Sequence, residues 1–298
     1  MVSRTYRFAV ILSLSLAASV SLAAQQSFDK RFNARPGGHL TLDTDLGSVA
    51  IVGRDTDEVV IHADMSDSHH LEITATQNSS GVTVTGRLTR RSWLDWLDFT
   101  ATHVQFTIDV PRDYPVQVQT SGGSIDVRNL TASAEGRTSG GGIRIRNVVG
   151  SINVHTSGGS ISAERLNGPT ELQTSSGSID IVDSTGDLDA RTSGGSIDLK
   201  SIAGRVTAVT SGGSIDAEVH TNRGVFLKSS GGTITLLLPE NVRASIDAQT
   251  SGGGAHSQLP LSSTELAERS HLRGAINGGG EPIFLRTAGG SIHVEPLR

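Results

Sequence analysis

The stretch T-S-G-G-S-I-D-L-K-S-I-A-G-R-V-T-A-V, Thr192 to Val209, is followed at Thr210 by T-S-G-G-S-I-D-A. With single exchanges the same hexad opens at Thr120, Thr138, Thr156 and Thr174, so six copies stand 18 residues apart without slippage. A fixed period of this length marks a solenoid, in which each unit buries its apolar face only by stacking on its neighbours. Later copies drift to Ser229, Thr250 and Thr287, after 19, 21 and 37 residues. An outlying T-D-L-G-S-V at Thr44 places the same coil geometry near the start of the chain.

The columns of the repeat carry the physics. The sixth holds Ile125, Ile143, Ile161, Ile179, Ile197 and Ile215, and the eighth holds Val127, Ile145, Ala163, Ile181, Leu199 and Ala217. This period-2 alternation predicts a strand. A second strand is predicted through Ile152 and Val154, and continuing its alternation turns Thr156 inward. The threonine column should therefore line the edge of the core. The fourth column is glycine in every unit, which requires either φ > 0 or a lack of room for a Cβ; Gly150, Gly168, Gly186 and Gly204 mark another corner. At ~3.3 Å per residue an 18-residue coil has a perimeter of roughly 60 Å, suited to two or three short faces around a thin core. The predicted fold is an all-β, single-stranded β-solenoid (β-helix-like) with about 18-residue coils.

Composition narrows the setting. Arg4 and Arg7, the apolar run Phe8 to Leu22 and the small residues Ala23 and Ala24 have the form of a cleaved secretory signal over residues 1–24. An uncleaved anchor needs ~20 apolar residues, and serines interrupt this shorter run. Removing the two arginines takes the net charge from −5 to −7, which argues against nucleic acid as a partner. With no cysteine, an exported chain is held together by its fold alone.

Three segments follow: the signal (1–24), an irregular β region that begins the stack (25–118), and the regular repeats (119–298) with an insertion at 255–282. In the irregular region strands are expected at His39 to Leu42, Val49 to Val52, Val59 to Ala63, Leu71 to Thr76, Val82 to Gly86 and His103 to Val110. In the insertion, Ser262 and Glu265 have capping-box spacing and Gly274 is placed as a stop, predicting a short covering helix.

Two features invite a site. Trp93, Trp96, Leu97 and Phe99, preceded by Arg90 and Arg91, form an apolar cluster that reads as a lid over the N-terminal end of the stack. The other readings are a partner or self-association contact, or membrane contact. Asp126, Asp180, Asp198 and Asp216 occupy the seventh column and should face solvent, the last three on consecutive rungs. At a rung spacing of about 4.8 Å each adjacent pair would repel by roughly 0.9 kcal/mol in water. Such a ladder suits loose cation binding, but no G-G-x-G-x-D calcium pattern is present, Lys200 is close to Asp198, and a solvated face is expected. No cofactor or metal motif appears: His69 and His70 lack ligand spacing, and there is no G-x-S-x-G elbow. The outward ninth column, Arg128, Arg146, Glu164, Val182, Lys200 and Glu218, is a mixed surface without the clustered groups that polysaccharide cleavage needs.

The run G-A-I-N-G-G-G-E-P-I-F-L-R-T-A-G-G-S-I-H-V (Gly274 to Val294), together with the tandem T-S-G-G-S-I-D units, resembles the bacterial putative-adhesin family of β-strand-repeat domains of unknown function. The resemblance implies an exported or envelope-associated β-solenoid, periplasmic or secreted. The expected function is a non-catalytic adhesin or envelope binding and scaffold module, with an envelope protein or an extended polysaccharide as partner. The alternative is a periplasmic sensory or regulatory partner of an envelope-stress system. A polysaccharide-degrading enzyme is the weakest reading.

Overall fold

The computed structural model describes residues 26–66, 71–89, 103–262 and 269–297, and no helix occurs among them. The irregular N-terminal region contributes β1 (Gln26–Asn33), β2 (His39–Thr44), β3 (Ser48–Arg54), β4 (Glu58–Ser66), β5 (Leu71–Asn78), β6 (Gly81–Leu88) and β7 (His103–Pro111). Every strand expected there is present. The regular coils contribute β8 (Val116–Thr120), β9 (Ile125–Leu130), β10 (Ala134–Thr138), β11 (Ile143–Val149), β12 (Ile152–Thr156), β13 (Ile161–Asn167), β14 (Thr170–Thr174), β15 (Ile179–Thr185), β16 (Leu188–Thr192), β17 (Ile197–Thr210), β18 (Ile215–Ser229) and β19 (Ile234–Leu238). The chain ends with β20 (Ala244–Thr250), β21 (Ala255–Ser257), β22 (His271–Ile276), β23 (Glu281–Thr287) and β24 (Ile292–Pro296).

The strands stack into two ladders that run the length of the molecule. One reads β5-β6-β2-β8-β10-β12-β14-β16-β17-β18-β23-β20-β22. The other reads β1-β4-β7-β3-β9-β11-β13-β15-β17-β18-β19-β24-β21. The strands β17 and β18 belong to both ladders because each runs through a corner that interrupts its neighbours. The body of each ladder is parallel, as a solenoid requires, and the fold is a β-solenoid.

Three corners shape each coil. The T-S-G-G turn is the first, and the positive-φ glycine column (Gly150 φ +149°, Gly168 +138°, Gly186 +114°, Gly204 +153°) is the second. The third lies at Asn129, Asn147, Arg165, Asp183 and Ser201, all left-handed with φ of 54–62°. These residues break the alternation, so the inward residues step from Ile145 to Val148 and from Ala163 to Leu166.

The fourth-column glycines have a different cause from one of the two offered by the sequence. Gly47 alone in that column has positive φ. At Gly123, Gly141, Gly159, Gly177, Gly195, Gly213 and Gly232, an added Cβ would overlap the carbonyl group of the glycine one rung before it. The column is glycine because backbone packs on backbone at rung spacing.

That packing is tied by the threonine column. Thr156 is fully buried; its hydroxyl donates to the Gly141 carbonyl at 2.8 Å and accepts from the Gly159 N–H at 3.3 Å. The same pair of bonds recurs at Thr138, Thr174, Thr192, Thr210 and Thr287, and at Ser229. A buried hydroxyl costs stability unless bonded, and each of these satisfies itself by clamping one rung to the next.

The core inside is a stack of Ile, Val, Leu and Ala, with one discordant member. Between Leu166 and Ile202, in register, stands Ser184, buried and with its hydroxyl unpartnered. Ser184→Val should therefore raise stability by about 1–2 kcal/mol, through added apolar burial and removal of an orphaned donor. Chemical denaturation checks this, and a lower midpoint for the valine variant would contradict the packing described.

At both ends, order in space departs from order in sequence. The strands β2 and β3 lie between β6–β7 and β8–β9. At the other end β23 and β24 slot between β18–β19 and β20–β21, so the chain's last coil is an internal rung. Antiparallel strands then cover the outermost rungs: β5 on β6, β4 and β1 on β7, and β22 on β20. These strands occupy edges that a parallel stack would otherwise leave open to pairing with another chain.

The helix expected from Ser262 to a stop at Gly274 is corrected over its C-terminal part, where His271 to Gly274 are strand; residues 263–268 lie outside the described residues. Gly274 lies inside β22, paired with Ile246, and Ser262 bridges to Ala275 with its N–H donating at 2.9 Å. The terminal rung needs partners for a row of backbone groups, and a strand supplies them where a helix cannot. Glu265 lies outside the described residues.

Candidate interaction surface

Side chains between the inward columns point outward from both ladders. Asp180, Asp198 and Asp216 stand opposite one another on β15, β17 and β18, as the 18-residue spacing predicts. Asp126 stands on β9, beside Arg144 of β11, and is separated from the other three by Ser162 of β13. The ladder is partly neutralised. Arg146 donates to Asp126 at 2.9 Å, with Arg144 at 3.8 Å, and Lys200 pairs with Asp198 at 3.0 Å. No cluster of three or more acidic or histidine side chains suited to a metal ion occurs among the described residues.

Desolvation against the face and then the neighbouring Asp198 carboxylate push the Asp180 carboxyl above its usual range, with Lys200 opposing. A carboxyl whose folded pKa is raised costs nothing below its unfolded pKa. The cost appears as pH rises through the interval between the unfolded and folded values, and persists above it. Asp180→Asn is thus expected to melt slightly higher than the parent at pH 7, with the gap narrowing toward pH 3. A variant less stable than the parent at pH 7 would show that the ladder is attractive.

The serine column that flanks the aspartates is occupied in holding the stack. The hydroxyls of Ser160, Ser178 and Ser196 accept the backbone N–H groups of Ser178, Ser196 and Ser214 at 3.2–3.3 Å.

Shallow grooves interrupt the surface, and two of them lie on the coils. One, of about 470 Å³, includes Glu135, Glu171, Asp187 and Asp189, with Arg205 at its side. The other, of about 370 Å³, is lined by Val52, Arg54, Arg128, Asn129, Arg146, Asn147 and Arg165. Its arginines come from four consecutive rungs, β3, β9, β11 and β13. The ninth column alone places only Arg128 and Arg146 here, and looks mixed. The left-handed corner adds Asn129, Asn147 and Arg165, and the end of β3 adds Arg54. The signal in the sequence was the three-residue step from Ile145 to Val148, which shows that a corner lies between and that the residues flanking it share an edge.

Trp93, Trp96, Leu97 and Phe99 lie outside the described residues, as do residues 1–24 and His69 and His70. Exposed phenylalanines do occur elsewhere: Phe226 and Phe284 pair in register on β18 and β23, with the Arg286 guanidinium 5.8 Å from the Phe284 ring centre.

Among solved structures, the chain is similar to a "putative cell adhesion protein" from Clostridium sporogenes, at 11% identity and a TM-score of 0.32 over 92% of this chain and 100% of that one. It is also similar to "putative adhesins" from Bacteroides fragilis (11% identity, TM-score 0.36, 92% and 99% covered) and Parabacteroides merdae (10%, 0.35, 92% and 97%). No curated protein matches the chain. The model of the family described as Toastrack DUF4097 matches residues 38–295, from the first coil strand to the last. The chain, with its glycine-cornered and threonine-clamped coils, therefore belongs to the Toastrack DUF4097 family.

Proposed function

We propose that this protein is an exported, non-catalytic binding module of the cell envelope, acting as an adhesin or scaffold whose ligand lies along the outer face of the stack. The observation that carries the reading is the register of the ladders, which holds through the regular coils from β9 to β17. It repeats outward polar side chains rung after rung at about 4.8 Å, so that a long ligand meets similar groups along its length. Affinity on such a surface is a sum of many weak contacts, and no single residue dominates it. The signal-like segment at residues 1–24 supports export.

Cell fractionation with in situ cross-linking locates the protein and its neighbours, and purified protein is then assayed for binding to envelope polymers and for release of new sugar ends. Binding without turnover is expected, with Asp180→Asn, Asp198→Asn and Asp216→Asn each changing affinity less than about threefold. Turnover abolished by one of these changes would overturn the reading. Cross-linking to a single envelope regulator, with no polymer bound, would replace adhesion by the sensory role.

A further inference from the structure

We propose that the arginine groove at the left-handed corner is the ligand-binding site, and that it takes a carboxylated polysaccharide strand running along the stack axis. This rests on the reading of the protein as a binding module and gives it a site and a ligand chemistry. Of the four arginines that line the groove, Arg54, Arg146 and Arg165 pair with the carboxylates of Asp109, Asp126 and Glu164. Arg128 is the lining arginine left without a carboxylate among the described residues, so one guanidinium of the groove is unpaired.

The donors are also arranged for an acceptor. Arg128 is exposed, its guanidinium open to a ligand on the outer face. The corner amides are polarised in one direction: Arg165 Nε donates to Asn147 Oδ1, and Asn147 Nδ2 donates to Asn129 Oδ1 at 2.9 Å. That chain leaves the Asn129 amide nitrogen as its free end, beside Arg128. A planar guanidinium forks onto a carboxylate, and amide N–H groups serve sugar hydroxyls.

Spacing and lining choose among anionic polymers. The four rungs advance about 4.8 Å each, close to the advance of one sugar ring in an extended glycan, whereas an extended peptide presents same-side carboxylates only every ~6.7 Å. The lining contains no aromatic ring on which bases would stack, which disfavours single-stranded nucleic acid.

The test uses the full chain and polygalacturonate, with its methyl ester, dextran, poly-glutamate and a single-stranded oligonucleotide as comparisons. Polygalacturonate should bind and the ester and dextran should not, with affinity falling as salt is raised. Arg128→Gln, an exposed change that breaks no ion pair, should weaken binding about five- to tenfold. Arg128→Lys should recover part of the loss, and Asp216→Asn, outside the groove, should leave binding within twofold. Unaltered melting of Arg128→Gln shows that the loss is not unfolding, and Asn129→Asp, which adds a repelling charge, gives a second reading of the same groove. Equal affinity of parent and Arg128→Gln, failure of polygalacturonate to bind, or equal binding of the ester, poly-glutamate or oligonucleotide would each overturn the proposal. A module that binds another envelope polymer regardless of Arg128 keeps its general role and loses this site.

Discussion

Gly195→Val is expected to cost about 3 kcal/mol or more and to yield little folded protein, while Gly194→Ala, one residue away, costs about 1 kcal/mol or less. The two glycines look equivalent in T-S-G-G-S-I, but they meet different surroundings. A Cβ on Gly195 would overlap the Gly177 carbonyl, and backbone at rung spacing cannot give way without parting the coils. A Cβ on Gly194 would come to 3.2 Å from the Ser176 carbonyl oxygen, which a small local shift relieves. Overpacking in a rigid site typically costs 1–3 kcal/mol, and a β-branched side chain forced against backbone lies at or beyond the upper end. Column three already holds Leu46 and Ser176, whereas column four holds only glycine. Urea or thermal melts of the two variants decide the matter, and equal stabilities would refute the backbone-on-backbone account.

Thr192→Val should cost about 2–3 kcal/mol although it preserves shape and adds apolar character. Its hydroxyl donates to the Gly177 carbonyl at 2.8 Å and accepts from the Gly195 N–H at 3.3 Å. Valine takes both partners away from two backbone groups inside the stack, and each orphaned group costs about 1–3 kcal/mol. Thr192→Ser keeps the clamp, as Ser229 does with bonds of 2.8 and 2.9 Å to the corresponding groups, and should cost less than about 1 kcal/mol. A valine variant as stable as the serine variant would mean that the threonine column is retained for packing alone.

Much of the candidate surface could be placed from the sequence, and some of it could not. The seventh-column aspartates fall where period-2 alternation puts them, because alternation along a strand and an 18-residue repeat between strands together define an outer face. Their partners were only half legible. Lys200 is two residues from Asp198 and visible by inspection, but Asp126 is held by Arg146 from the next rung, a contact that needs the register. The arginine groove was less legible still. Its residues are drawn from three columns and lie 74 positions apart between Arg54 and Arg128, joined only because β3 pairs directly with β9.

The sequence by itself determined the coil. A repeat of 18, an alternation of 2, and glycines in unbroken columns leave few ways to bury Ile, Val and Leu, so the all-β solenoid, its inward threonines and its outward aspartates follow from local pattern and covalent geometry. What only the tertiary structure decided is how the stack ends and what turns its third, left-handed corner. The intercalation of β23 and β24, the antiparallel cover of β22 on β20 and the nesting of β2 and β3 beneath β6 and β7 are pairings between distant segments with no shared period. They are selected by the need to satisfy the open edge of a parallel sheet, a demand that exists only once the sheet has formed. The left-handed corner is of the same kind: Asn129, Arg165 and Ser201 have little in common as residue types, and adopt one conformation because the rungs above and below do.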